Sequence, residues 1–198
     1  MNWLAHTFLS TSEIEFRLGN LLADLVRGDE RLAMSAVFQR GAACHKAIDA
    51  FTDSHDIVRR SRTRVNEQYR RFSGVLMDVF YDYLLAKYWS RFSDEPLTQF
   101  TTAFYSEARA SNLALPEAAD MTLNRIIRYD SLGSYREIDG VERALRRIST
   151  YLSGRWRKPF ALEESIPQLL EAEEELTADF LEFFPQLHTY VEDWIRDH

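Results

Sequence analysis

The chain has 198 residues, 45% hydrophobic and 13% aromatic, enough for a substantial core, and its 7 glycines and 5 prolines are too few for a turn-rich β architecture. Its one cysteine, Cys44, excludes an internal disulfide framework, Met1 to His6 lack the basic start of a signal peptide, and no uncharged run approaches the roughly 18 residues of a membrane span. The net charge of −7 is uneven: residues 161–198 hold eleven acidic side chains against one basic, leaving 23 basic and 20 acidic groups in residues 1–160. The expectation is one all-α helical bundle over residues 1–198, cytoplasmic, with neither a membrane nor a nucleic acid as partner.

Leu18, Leu21, Leu22, Leu25 and Val26 recur at helical spacing and end at Gly28, which predicts an amphipathic helix with a glycine stop. A second helix runs through the forties to Thr52-Asp53, and the doublet His55-Asp56 reads as the start of the next helix. The segment Val75 to Leu85, apolar on nearly every side, predicts a central helix over 75–92. Further helices are expected near 97–111, 117–129 and 140–152. Ser165 with Gln168 forms a capping-box pattern ahead of an apolar stripe through Phe184, which Pro185 should interrupt before a last helix carrying Leu187 and Trp194.

The chemistry-bearing pattern is three pairs at i, i+4: Asn20/Asp24, His45/Asp49 and Asp78/Asp82. Residues four apart stand one above the other on a helix, so three packed helices can enclose a divalent ion such as manganese, magnesium, iron or zinc. Such an ion polarises a phosphoryl oxygen and lowers the pKa of water from 15.7 towards about 7, which suits phosphoester hydrolysis. Each residue also has a plainer use. Asp78 can serve a helix dipole, Asp82 a structural ion pair and Asp53 an N-cap, while Asp24 falls on the face opposite the leucine stripe, normally solvated. Arg59, Arg60, Arg62, Arg64, Arg70 and Arg71 stand against Glu67 alone in residues 57–71. That ridge either pairs with the acidic C-terminal segment or attracts a polyanionic partner.

The blocks Met1-Asn2-x-Leu4-Ala5-His6, Gly19-Asn20-Leu21-Leu22-Ala23-Asp24-x-Val26-Arg27-Gly28 and His45-Lys46-x-Ile48-Asp49-x-x-Thr52-Asp53, with Asp78-Val79-x-x-Asp82 and Trp89-Ser90, resemble the acyl carrier protein phosphodiesterases. The resemblance is strong over about the first ninety residues and rests beyond them on length and aromatic content. It implies a helical fold related to the HD phosphohydrolases and a manganese-preferring site. The implied reaction releases 4′-phosphopantetheine from the serine of holo acyl carrier protein. By matching position, His6, Asp24, His45 and Asp78 are the implied metal group, with Asp24 also catalytic beside Asp49, Asp53 and Asp82. Asn20, Arg27 and Lys46 are the implied substrate contacts, and the acidic carrier protein would dock on Arg59, Arg60 and Arg64. The chain departs from the pattern at Trp3, where a smaller aromatic is usual, and at Lys46, where arginine is common. Two other readings stay open: an HD-like hydrolase of a nucleotide or other small phosphoester, and a non-catalytic helical module that binds acidic proteins.

Overall fold

The computed structural model describes residues 1–198 as eleven α-helices and no strand. In chain order they are α1 (Trp3–Phe8), α2 (Ile14–Leu22), α3 (Gly28–Leu32), α4 (Ala36–Ser54), α5 (Asp56–Thr63), α6 (Ser73–Lys87), α7 (Leu97–Ala110), α8 (Glu117–Arg128), α9 (Ile138–Trp156), α10 (Ile166–Glu171) and α11 (Glu173–Asp197). One connected apolar core extends from Met1 to Val191.

As its uninterrupted apolar run requires, α6 is central. It packs against α1, α5, α9 and α11, and burial continues around its whole circumference from Leu76 to Ala86. It ends at Lys87, short of the expected 92, where a 3-10 turn at Trp89–Arg91 takes over. Its buried Asp82 accepts the amides of Leu4 at 2.7 Å and Ala5 at 3.2 Å, satisfying the free N–H groups at the start of α1. Asp82 is thereby spent on seating α1 and does not line the cleft described below.

The closest helix crossing is between α2 and α4. A methyl group on Gly19 would meet the carbonyl oxygen of Phe38 at 2.1 Å, and one on Gly41 that of Phe16 at 2.1 Å. Only glycine permits this approach.

Three local expectations differ from the structure. The α2 helix ends at Leu22, because the Arg31 guanidinium takes the carbonyls of Ala23 and Val26 and stabilises a turn there. Gly28, at φ +55°, then starts α3 where a stop was expected. Asp24 consequently lies in a turn, so Asn20 and Asp24 are not a helical pair. At the other end, α11 continues through Pro185, which sits on the exposed side where one lost amide donor costs least. The capping box does not form either: Ser165 donates to the Leu162 carbonyl, and Gln168 accepts the amide of Asn66 at 2.7 Å.

Candidate metal centre

The glycine crossing of α2 and α4 sets the main-chain oxygen of Asn20 2.8 Å from Nδ1 of His45. The side-chain oxygen of the same residue lies 2.8 Å from Nδ1 of His6 on α1. Both partners are carbonyl oxygens, which only accept, so each Nδ1 carries a hydrogen and donates it. Each Nε2 is then the nitrogen left to bind something else. Asn20 is itself oriented by donating its amide to Ser10 Oγ at 2.9 Å. The two imidazoles stack with centroids 4.0 Å apart and planes at 19°.

Asp49, one turn after His45, faces both rings. Its oxygens lie 3.3 Å from His6 Nε2 and 3.1 Å from His45 Nε2, and an Asp24 oxygen is 3.7 Å from His45 Nε2. Neither Nε2 makes a directed hydrogen bond, although both are buried. Buried polar atoms without partners are uncommon and costly. The three donor atoms of His6, His45 and Asp49 lie within 4.8 Å of one another.

Burial, together with the neighbouring His45, holds His6 down to about 4. Burial also opposes the charged form of His45, yet the facing carboxylates of Asp24 and Asp49 outweigh it and lift His45 to about 9. For Asp49, burial is overcome by His45, His6 and the Met1 ammonium, which hold it far below the usual carboxylate range. Burial raises Asp78 even though the Met1 ammonium sits 2.9 Å away. Near neutrality the stacked rings thus carry, beyond the hydrogen on each Nδ1, one further proton, on Nε2 of His45. Two imidazole nitrogens and a carboxylate, with unpartnered lone pairs once that proton leaves, fit a divalent transition cation.

The cluster opens into a cleft of about 1150 Å³, lined also by residues of α8 and α9. The acyl carrier protein phosphodiesterase family model matches residues 1–187. The chain belongs to that family. It is 30% identical over 189 residues to the acyl carrier protein phosphodiesterase of Pectobacterium atrosepticum, covering 94% of this chain and 95% of that one. With the enzyme of the same name from Klebsiella pneumoniae subsp. pneumoniae it shares 31% over 199 residues, 98% of each chain. The similarity therefore extends well past the ninety residues that carry the motifs. No solved structure matches the chain.

Set against the family motifs, the structure brings together His6, His45 and Asp49, with Asp24 and Asp78 also lining the cleft. Asn20 is fully buried and positions the two rings, so it is not placed to touch substrate. Arg27 lines the cleft beside Asp24, at 3.8 Å. Lys46 and Asp53 are exposed outside the cleft, Asp53 paired with Arg62.

The arginine ridge does not border the cleft. Arg60 binds Asp179 at 2.7 Å and Glu182 at 2.6 Å, Arg64 binds Asp179 at 3.0 Å, and Arg59 turns back to Asp56. These contacts fasten α5 to the acidic α11, because Asp179 is buried and needs counter-charge. The basic groups that line the cleft are instead Arg27, Arg125, Arg143, Arg146 and Arg147. Sequence reasoning passed over the last four, although Arg143, Arg146 and Arg147 at i, i+3, i+4 mark one face of α9. The absence of a helix long and apolar enough to cross a membrane agrees with the hydropathy reading.

Proposed function

We propose that this protein hydrolyses the phosphodiester joining 4′-phosphopantetheine to the serine of holo acyl carrier protein, giving apo carrier protein and 4′-phosphopantetheine. The reading treats residues 1–198 as one domain of a cytoplasmic enzyme, related to the HD phosphohydrolases through its His and Asp donor set. The single observation that carries it is the pair of buried, unpartnered Nε2 atoms of His6 and His45 facing Asp49 at a cleft.

His6, His45 and Asp49 hold a divalent cation, manganese for preference, and Asn20 fixes both rings so that Nε2 faces it. When bound, such an ion supplies Lewis acidity, polarising a phosphoryl oxygen and making water nucleophilic near pH 7. Asp24 is exposed at the cleft, and the nearby His45 ring holds its carboxyl below the usual carboxylate value and so keeps it ionised. It is the carboxylate placed to take the proton of the attacking water. The water oxygen bonds to phosphorus, the bond from phosphorus to the serine oxygen breaks, and that oxygen leaves with a proton. Asp78, held by the Met1 ammonium, keeps the α1 end of the site in place. The carrier protein, being acidic, approaches along the arginines of the cleft.

The test is the intact mass of holo carrier protein after incubation with purified enzyme, with manganese or with chelator, beside a His45→Gln variant. Loss of the arm only with manganese and only in the unaltered enzyme is expected. An arm that stays in place, or leaves regardless of metal and His45, contradicts the reading, and turnover of nucleotides in its stead transfers the chemistry to another substrate.

A further inference from the structure

Arg147 differs from its neighbours on α9. Arg146 spends its charge on Glu142 and Glu163, whereas Arg147 is half-buried and has no carboxylate within ion-pair distance. Its guanidinium carbon lies 3.5 Å from the ring centroid of Trp3. A cation taken out of water without a counter-charge is costly, and stacking on an indole offsets only part of that cost. Burial accordingly pulls its pKa below the ordinary arginine value. Stacking occupies one face of the guanidinium and leaves the N–H donors along its edge for a planar, two-pronged contact.

Tyr135 stands beside it in the same cleft. Its buried hydroxyl accepts the amide of Asn2 at 2.8 Å and lies against Arg147, steadying the guanidinium from behind. Trp3 precedes His6 by three residues on α1, so the two side chains are neighbours on one face, with Cβ atoms roughly 5–6 Å apart. Arg147, a cation with no carboxylate partner, therefore lines the same cleft as the His and Asp cluster.

We infer that Arg147, backed by the buried Tyr135, forms a phosphoryl-binding subsite that grips the non-bridging oxygens of the substrate phosphodiester. That it is a diester rests on the proposed function; that the ligand is a phosphoryl group rests on the donors themselves. The subsite positions the phosphorus, and a planar fork suits two phosphoryl oxygens better than a point charge does.

The probe is inorganic phosphate, titrated by calorimetry into manganese-loaded protein, with 4′-phosphopantetheine as a second ligand. Arg147→Ala should weaken both by about tenfold to a hundredfold, as expected for losing a charged, two-pronged contact. Added guanidinium ion should recover part of the loss, while manganese content and far-ultraviolet circular dichroism stay unchanged. Arg147→Lys, which keeps the charge and most of the stem, should still bind phosphate several-fold more weakly than the unaltered protein, and it serves alone if the alanine variant does not fold. Phosphate binding unchanged in both variants overturns the subsite. Normal processing of carrier protein beside an Arg147→Ala variant that binds phosphate fully refutes the subsite alone. Weakened phosphate binding in that variant, with an unaltered enzyme that leaves holo carrier protein intact, supports the subsite and refutes the functional reading.

Discussion

Asn20 offers one oxygen from its side chain and one from its main chain to two different imidazoles, which makes it the pivot of the centre. Only the side-chain contact can be removed by substitution. Asn20→Ala should lower manganese affinity by about 10–100-fold, the usual consequence of freeing a ligand ring; paramagnetic resonance titration measures it, and unchanged affinity contradicts the role. Asp82 lies deeper, and its burial raises it to about 7 against the pull of the Leu4 amide, the Met1 ammonium and the Ala5 amide. An unfolded aspartate titrates near 3.9, so between about pH 4 and 7 the folded chain keeps a proton that the unfolded chain releases. This contribution to stability is therefore full below about pH 4 and is lost as the pH rises to about 7. Denaturation of Asp82→Asn across that window should show a shallower decline than the unaltered protein, and parallel curves contradict the assignment. At this scale the sequence was partly legible. His45/Asp49 follows directly from helical spacing, whereas His6 came only through family likeness, since a lone histidine in an apolar stretch carries no pattern. Spacing also suggested a role for Asn20 and Asp82, but contact distances alone separate a residue that holds a ligand in place from one that touches substrate.

Helices place these residues, and the α2–α4 crossing is the tightest constraint among them. Gly41→Ala would force a methyl group into the Phe16 carbonyl, so α4 must withdraw. Chemical denaturation should register a loss of about 1–3 kcal/mol or more. The same retreat moves His45 from the Asn20 carbonyl, so metal affinity should fall together with stability. A variant that binds metal normally despite reduced stability would separate the crossing from the site. Element existence was legible where burial is one-sided or total, as in α6, whose apolar circumference announces a central helix. It was less legible where a distant side chain decides, as when Arg31 ends α2 early and so presents Asp24 to the cleft. Pro185 was over-read, because a proline on the wet side of a well-packed helix costs too little to break it.

Over the whole molecule, charge is sorted into a clasp and a cleft. The acidic C-terminal segment neutralises the Arg60 and Arg64 ridge through Asp179 and Glu182, leaving the arginines of α8 and α9 around the cleft. Reversal of the ridge in the double variant Arg60→Glu, Arg64→Glu should therefore lower the denaturation midpoint by setting like charges against buried Asp179. Its KM for carrier protein, measured where the variant is folded, should not change, and a raised KM with altered salt dependence would return docking to the ridge. Composition signalled this imbalance of charge, but not which basic group meets which acid, because the partners are more than a hundred residues apart. The central claim is that side chains from separate helices share one divalent cation. Anomalous diffraction from crystals grown with manganese tests it most directly: the account predicts one peak in contact with His6, His45 and Asp49, and a peak elsewhere, or none at these three residues, contradicts it.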